Sequence, residues 1–404
     1  MIFKLAWRNI WRNKRRTAIT VASIFFAVIL SSFMMSIKEG VYVNMIEGSA
    51  GAFNGYAQLH ANKYWEEKHI DYSFELKDSL LETLEAHPDL QAALPRIESF
   101  ALAVGDDITK GSAVIGIDVE KEAQFHKLKE RLDKGEYLGP DDDAVLLGDG
   151  LAQYLHLEVG DSIILMGSGY HGMTAAGKYL IKGTVKFGSP ELSKQLVFMP
   201  LSQAHEYFGT YGLINNLVLK TETEGDGVKL AADLRSQIDS RYEVMDWQEL
   251  NPALVNMIEA DRVEGYVFMF IMYMVISFGI FGTMLMMLAE RRREFGVLIA
   301  IGMKRVKLAA MVWFEVIFLS ILGSLVGILG AFPISYYFYA NPIALTGEMT
   351  EMMEDYGMEA VLQASIAPGI FIQQSVVIAI IATVISLYPF IKLLFTKAIN
   401  EMRS

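Results

Sequence analysis

The fold class this sequence predicts is an α-helical membrane protein with four transmembrane helices plus an α+β extracytoplasmic domain inserted between the first and second helices. Three observations lead there. Of 404 residues, 52% are hydrophobic and 20% charged, against roughly 45–50% and about 25% in ordinary soluble domains. The surplus apolar residues collect in four long stretches. The basic residues gather beside those stretches, although the net charge is −12. Disordered and collagenous classes are excluded by the same composition. Cysteine is absent, so there are no disulfides, thiolate metal sites or redox pairs. The acidic balance argues against a nucleic-acid partner.

The first span is 18–37. Ala18 to Ile37 is an uncharged run of twenty residues, and about twenty cross a bilayer core. The basic segment before it resembles a signal-peptide leader. The apolar run is too long for one and lacks an A-x-A cleavage site, so a retained anchor is expected. The second span, 265–289, lies between Glu264 and Glu290. The third, 308–337, holds one acid, Glu315, and the fourth is 366–390.

Positive charge sets the sidedness. Residues 1–17 carry Lys4, Arg8, Arg12, Lys14, Arg15 and Arg16; the 290–307 loop carries Arg291, Arg292, Arg293, Lys304, Arg305 and Lys307; Lys392, Lys397 and Arg403 lie in 391–404. These fifteen basic residues face only Glu290, Glu294 and Glu401. Both termini and the 290–307 loop are therefore expected in the cytoplasm. Segment 38–264 becomes a large extracytoplasmic domain with helical stalks, and 338–365 a short extracytoplasmic loop.

Within 38–264 the periodicity predicts helices over 36–47, 74–86, 119–132, 149–155, 201–208 and 227–238. Strands are predicted over 97–104, 113–117, 162–166, 179–186, 196–200, 213–219 and 242–246. A helix from Glu249 is expected to enter span two without a break. Gly167-Ser-Gly169-Tyr170-His171-Gly172 matches G-x-G-x-x-G, but a dinucleotide site needs a helix next and an acid about twenty residues on. Gly172-x4-Gly177-Lys178 nearly spells a P-loop, yet Tyr179 stands where the Mg²⁺-binding hydroxyl belongs. The segment reads as a flexible Gly-rich hairpin tip, able to contact a partner. The seven histidines show no H-E-x-x-H spacing, and Asp141-Asp142-Asp143 lacks the remaining acids of a calcium loop. No G-x-S-x-G elbow is present. No metal site or enzyme site is expected.

The 290–307 loop is short, yet it alternates a charged cluster, an apolar stretch and a second basic cluster. Phe295, Leu298 and Ile301 recur every three residues, the spacing of an amphipathic helix lying at the membrane surface. Gly302 suits its C-terminal cap.

Glu290-Arg-Arg-Arg-Glu-Phe-Gly-Val-Leu-Ile-Ala-Ile-Gly-Met-Lys-Arg305 resembles the signature of FtsX-like permeases, the MacB-type or type VII ABC transporters. The basic start Leu5 to Thr17, Glu315 followed by Gly323-Ser-Leu-Val-Gly327, Leu387-Tyr-Pro389 with Met402-Arg403, Val114 to Asp118, and Leu155 to Asp161 are similar to further family segments. The usual proline near the end is replaced by Ala398, and the acidic 347–359 loop is longer than in many members.

The resemblance implies a permease in the bacterial cytoplasmic (inner) membrane, acting with a second permease copy or paralogue on a dimer of separate cytoplasmic ABC ATPases. ATP and Mg²⁺ would bind the ATPase, leaving no cofactor on this chain and no catalytic role for it. The 290–305 helix would be the coupling helix, with Phe295, Leu298 and Ile301 as anchors and Arg291, Arg292 and Arg293 as a polar rim; Glu294, Gly302, Lys304 and Arg305 complete it. Glu315 would be functional, or would snorkel or pair with Lys307 or Arg305. Gly323, Gly327 and Gly330 would pack helices closely. Phe26, Phe33, Phe270 and Phe278 would face an acyl-chain cavity if spans one and two part, and otherwise contact membrane lipids. In layout the chain is similar to lipoprotein-releasing permeases, which take lipoproteins from the outer leaflet and pass them to a periplasmic carrier. Gly167, Gly169, Tyr170, His171, Gly172 and Lys178 would form the carrier-contact hairpin. Efflux of a drug, peptide or lipid with an outer-membrane partner, and mechanical control of a cell-wall hydrolase, are the alternatives.

Overall fold

The computed structural model describes residues 2–12, 14–105, 108–187, 190–347, 350 and 361–395. Ala398, Met402, Arg403 and most of the acidic 347–359 loop lie outside them. The chain divides into two compact units: Met1–Val43, Ile258–Ala344 and Val361–Ser404 form one, and Asn44–Met257 with Leu345–Ala360 the other.

The first unit is helical: α1 (Ile2–Arg12), α2 (Lys14–Ile46), α3 (Pro252–Glu290), α4 (Arg292–Ala300), α5 (Arg305–Ala340), α6 (Pro368–Ile385) and α7 (Leu387–Phe395). Among the described residues four helical stretches are long and apolar enough to cross a membrane: Thr17–Gly51, Pro252–Glu290, Arg305–Ala340 and Pro368–Phe395. They are longer than the apolar runs because intrahelical hydrogen bonding continues past the hydrocarbon. Span four is two helices parted at Ser386, since Pro389 cannot donate to Ile385 and its ring crowds that carbonyl. The core of the unit joins Ile24 and Val28 of α2, Ile280 and Met284 of α3, Val312 and Val316 of α5, and Ile378 of α6. Helices α2 and α5 approach closely because α5 offers no side chain at two points. A Cβ on Gly323 would lie 2.7 Å from Ile24 Cβ, and one on Gly327 2.6 Å from Val28 Cβ.

The second unit carries a ten-stranded sheet: β1 (Ala57–Ala61), β2 (Ala92–Val104), β3 (Thr109–Ile117), β4 (Leu132–Gly135), β5 (Ala144–Gly148), β6 (Ser162–Ser168), β7 (Thr174–Val185), β8 (Leu196–Pro200), β9 (Asn216–Lys220) and β10 (Tyr242–Asp246). Its order is β10-β1-β9-β2-β3-β8-β5-β7-β4, with β6 pairing β2 and β7. Buried on both faces, β5 and β8 read as continuous apolar runs. Ile97, Val114, Leu147 and Leu165 pack under helices Asp149–Leu155 and Leu201–Phe208. Ile117, Leu146, Val185 and Phe198 form a second cluster with Phe53 and Leu128.

Several expected elements change. The 74–86 helix starts only at Asp78, because Phe74–Glu75 pairs with Leu213–Ile214 as a short ladder. The 119–132 helix splits into Val119–Phe125 and a 3₁₀ turn, with Lys127 in the left-handed region between them. Strands β1, β4 and β5 were not expected; they are short, and partners distant in sequence define them. The helix expected from Glu249 breaks at Asn251 (φ −129°, ψ 62°), since a residue before proline is driven out of the helical region. Past Ile46 the first long helix widens into a π-helix, Glu47–Asn54.

Candidate functional site

The 290–305 segment forms a tight corner. Arg291 leaves helical geometry between α3 and α4 (φ −100°, ψ 6°). At the far end Gly302 takes φ +97°, which favours glycine. Its N–H donates to Ile299 C=O and that of Met303 to Leu298 C=O, both at 3.0 Å, the Schellman pattern that ends a helix. The expected helix over 290–305 is therefore shorter, Arg292–Ala300.

The anchor residues do not share one surface. Phe295 is 2% exposed and belongs to the core of the helical unit, with Met287, Leu308 and Val312. Leu298 is half-buried and packs against the same core. Ile301 is 77% exposed, and Val297, in the apolar stretch but not among the expected anchors, is 54% exposed. A three-residue spacing drifts around a helix of 3.6 residues per turn, and the nearby helices take the inward end of that stripe. The outer surface instead presents Val297 and Ile301 with the exposed Arg292, Arg293, Lys304 and Arg305.

Arg291 is not a rim residue either. It is 3% exposed, and its Nη1 donates to Glu315 Oε2 at 2.7 Å. Glu315, 0% exposed, also accepts from Asn9 Nδ2 of α1 at 2.8 Å through the same oxygen. The expected pairing with Lys307 or Arg305 is absent from these contacts, because residues eight and ten positions earlier lie about 12–15 Å down the helix axis. Arg291 Nε reaches Glu294 Oε2 at 3.2 Å, and Arg12 Nη2 meets that oxygen at 2.7 Å. Helix α1 lies along α5, with Phe3 edge-on to Phe318 at 4.6 Å and Trp7 to Phe318 at 5.6 Å. Asn9 carried no sequence signal beyond its place on α1; the buried acid required a partner that only folding identifies.

The four phenylalanines do not converge. Phe26, Phe270 and Phe278 are exposed, while Phe33 packs on Phe338 at 5.3 Å. Phe270 alone of the four lines a cavity of 310 Å³, together with Met35, Tyr42, Met269 and Gln374. Beside it, Asp261 accepts from Tyr42 Oη at 2.5 Å and lies 3.1 Å from Lys38 Nζ. Close packing continues at Gly330, where a Cβ would sit 2.7 Å from the Phe25 ring.

Segment 167–178 is the tip and second strand of the β6–β7 hairpin, but it is not a free tip. His171 N–H donates to Asp71 Oδ1 at 2.6 Å, and Gly169 N–H to Met173 C=O at 2.6 Å. A Cβ on Gly169 would lie 2.6 Å from the Phe208 carbonyl oxygen. Gly167 and Lys178 are ladder residues, opposite Ala175 and Ile164. The Tyr170 and His171 rings are tilted against each other with centroids 4.0 Å apart, and the His171 side chain is exposed.

Another buried network escaped the sequence reading. Arg96 Nε donates to Glu122 Oε1 at 2.6 Å, its Nη1 to the Phe53 carbonyl at 2.9 Å, and His126 Nδ1 lies 2.8 Å from Glu122 Oε2. Burial by itself would raise the Glu122 carboxyl; the Arg96 guanidinium and His126 against it bring it down to about 2. Burial also lowers His126. Among the described residues no group of three or more His, Asp or Glu could hold a metal ion.

Comparison with known proteins places this architecture. The MacB-like periplasmic core domain matches residues 17–237, and the FtsX-like permease C-terminal family matches residues 266–398. The arrangement of long apolar helices and mixed sheet is that of a multi-pass membrane permease. The chain belongs to the FtsX-like, MacB-type permease family.

The lipoprotein-releasing system transmembrane protein LolC of Xylella fastidiosa is 22% identical over 250 residues, 60% of each chain. LolC of Neisseria meningitidis is 21% identical over 322 residues, 77% of this chain and 75% of that one. The chain thus spans about 60% of the length of the first of these relatives. The periplasmic region of MacB from Actinobacillus actinomycetemcomitans superposes with a TM-score of 0.35 at 15% identity, over 52% of this chain and 98% of that one.

Proposed function

We infer that the chain is the non-catalytic permease subunit of an ABC transporter, moved by a separate cytoplasmic ATPase that holds the ATP and Mg²⁺. The observation that carries this reading is the outer surface of α4: apolar Val297 and Ile301, ringed by arginines and lysines, on a short helix braced from behind by Phe295. Such a helix is shaped to seat in a groove of a partner. With basic residues on the cytoplasmic side, both termini and α4 face the ATPase and the sheet unit lies outside. The chain that leaves the first span continues into β1, and β10 precedes the second span. These two strands pair directly, Ala57 opposite Asp246.

The work performed is release of lipoproteins from the membrane, with a second permease copy or paralogue completing the assembly and a periplasmic carrier receiving the product. The LolC relatives support this choice. Gentle purification of the tagged chain from its host, with mass spectrometry of what is retained, tests it. An ATPase together with acylated lipoproteins or a carrier is expected; an outer-membrane channel or a cell-wall hydrolase in their place overturns lipoprotein release. For the coupling surface, Ile301→Asp should leave insertion intact and lower ATPase recovery by at least about tenfold. Full recovery would refute the assignment of α4.

A further inference from the structure

The geometry points to Glu315 as a positioning residue: with Arg291 and Asn9 it fixes the coupling corner to span three and to α1, so that movement of α4 is carried into the spans instead of being absorbed at residues 290–292. This rests on the coupling reading given above. The contacts form a closed ring. Asn9 of α1 binds Glu315 of α5, Glu315 binds Arg291 at the corner, Arg291 binds Glu294 of α4, and Glu294 returns to Arg12 of α1.

The two central members are almost wholly out of water. There a charged hydrogen bond is strong and directional, and leaving either partner alone is costly. Helix α4 has nine residues, of which Phe295 and Gly296 are buried. Phe295, with the partly buried Leu298 and Ile299, holds the helix on the core by apolar contacts, which are non-directional and leave it some freedom to turn about its axis. The bond from Arg291 lies at the pivot of that turn and removes the freedom.

A buried ion pair is retained for stability less often than it seems, since an apolar pair of similar volume holds helices as well or better. Direction and register are what the ion pair adds. The absence of native cysteine makes the test direct. Spin labels at Ala300→Cys and Leu325→Cys, both exposed and neither one of the docking residues Val297 and Ile301, report the distance between the end of α4 and the body of α5 in the full chain. Measurements are made on the chain alone and on the complex with its ATPase, with and without a trapped nucleotide.

A narrow distribution is expected in the parent, shifting as a whole when nucleotide is trapped. Glu315→Gln should broaden it and reduce the nucleotide-driven change in the ratio of shifted to unshifted populations roughly 2- to 30-fold, with the ATPase still bound. Moving the carboxylate across the contact, Asn9→Asp with Glu315→Gln, should restore both. The apolar pair Arg291→Met with Glu315→Leu serves as a folded control, expected to insert normally and still give a broad distribution.

A narrow distribution in Glu315→Gln or in the apolar pair overturns the positioning role, as does a broad one with an undiminished shift. Failure of the parent to retain any ATPase overturns the coupling reading instead. Even then, the widths measured on the chain alone decide whether Glu315 holds the corner.

Discussion

The sheet unit and the helical unit each bury a carboxylate against an arginine, and they differ in what the pair joins. Arg96 and Glu122 lie among segments already tied by backbone ladders: β2 is hydrogen-bonded along its length to β3 and β9, and the Phe53 carbonyl is drawn onto that frame. Arg291 and Glu315 join helices that satisfy their own backbone groups and share no ladder. In the sheet unit the pair adds stability to a geometry set by other bonds. In the helical unit side chains alone set how the helices register, so the pair carries positional information.

The strongest way to break this comparison is Arg96→Met. It strands Glu122 without a counter-charge and should destabilise the sheet unit by about 3–5 kcal/mol. Proteolysis of the full chain across a denaturant series would measure it. Arg96→Met with Glu122→Leu should recover most of the loss. If recovery also fails, the network does more than add stability.

Next in size is Gly327→Val, which forces two branched side chains into the space of one where α2 meets α5. Overpacking of this kind costs about 1–3 kcal/mol. It should lower the melting temperature of the detergent-solubilised chain while leaving the sheet unit's protease resistance unchanged.

Acid sharpens the contrast. His60 is buried between Gln58, 2.8 Å from its Nε2, and the rings of Tyr64 and Trp65. Burial, with Lys68 nearby, lowers its pKa to about 3. The unfolded chain takes up that proton near pH 6.5 and the folded one does not. Stability from His60 is therefore complete above about pH 6.5 and declines as the pH falls toward 3, by up to about 1.4 kcal/mol per pH unit. Glu122, held at about 2 when folded, adds a loss below the ordinary carboxylate range. His60→Gln should flatten the upper part of the slope in a pH series of unfolding midpoints.

The smallest effect belongs to Arg12→Ala. Its pair with Glu294 is about half exposed on both sides and should contribute only about 0.2–1 kcal/mol. In the spin-label measurement it should widen the distribution far less than Glu315→Gln. Equal widening would mean that the exposed side of the ring matters as much as the buried one.

Legibility followed the range of the interactions. The corner at Gly302 and the stop at Asn251-Pro252 are local: glycine tolerates the positive φ that ends α4, and proline excludes helix in the residue before it. Both stops are encoded in the residues that make them, Gly302 and Pro252. Strands β1 and β4 had a weaker local signal, since a short polar or mixed segment becomes a strand only when a distant partner supplies the other half of each hydrogen bond. The short apolar run of β5 is distinguished from buried helix only by its partners β7 and β8. The same holds for the proposed coupling surface. Charge and spacing marked 290–305 as a candidate segment, but which of Phe295, Val297, Leu298 and Ile301 faced outward depended on the helices packed behind it.

What this protein's sequence determined by itself is therefore what depends on composition and neighbours along the chain. Four long apolar helices, a mixed sheet-and-helix unit between the first two, a basic amphipathic corner and membership of a permease family all follow from hydrophobic runs, charge placement and a motif. Tertiary structure decided which groups were spent inside: Phe295 on the core, Arg291 and Asn9 on Glu315, Arg96 on Glu122. Burial and directional bonding depend on three-dimensional neighbours up to 306 positions apart in sequence, and no local pattern encodes such a distance.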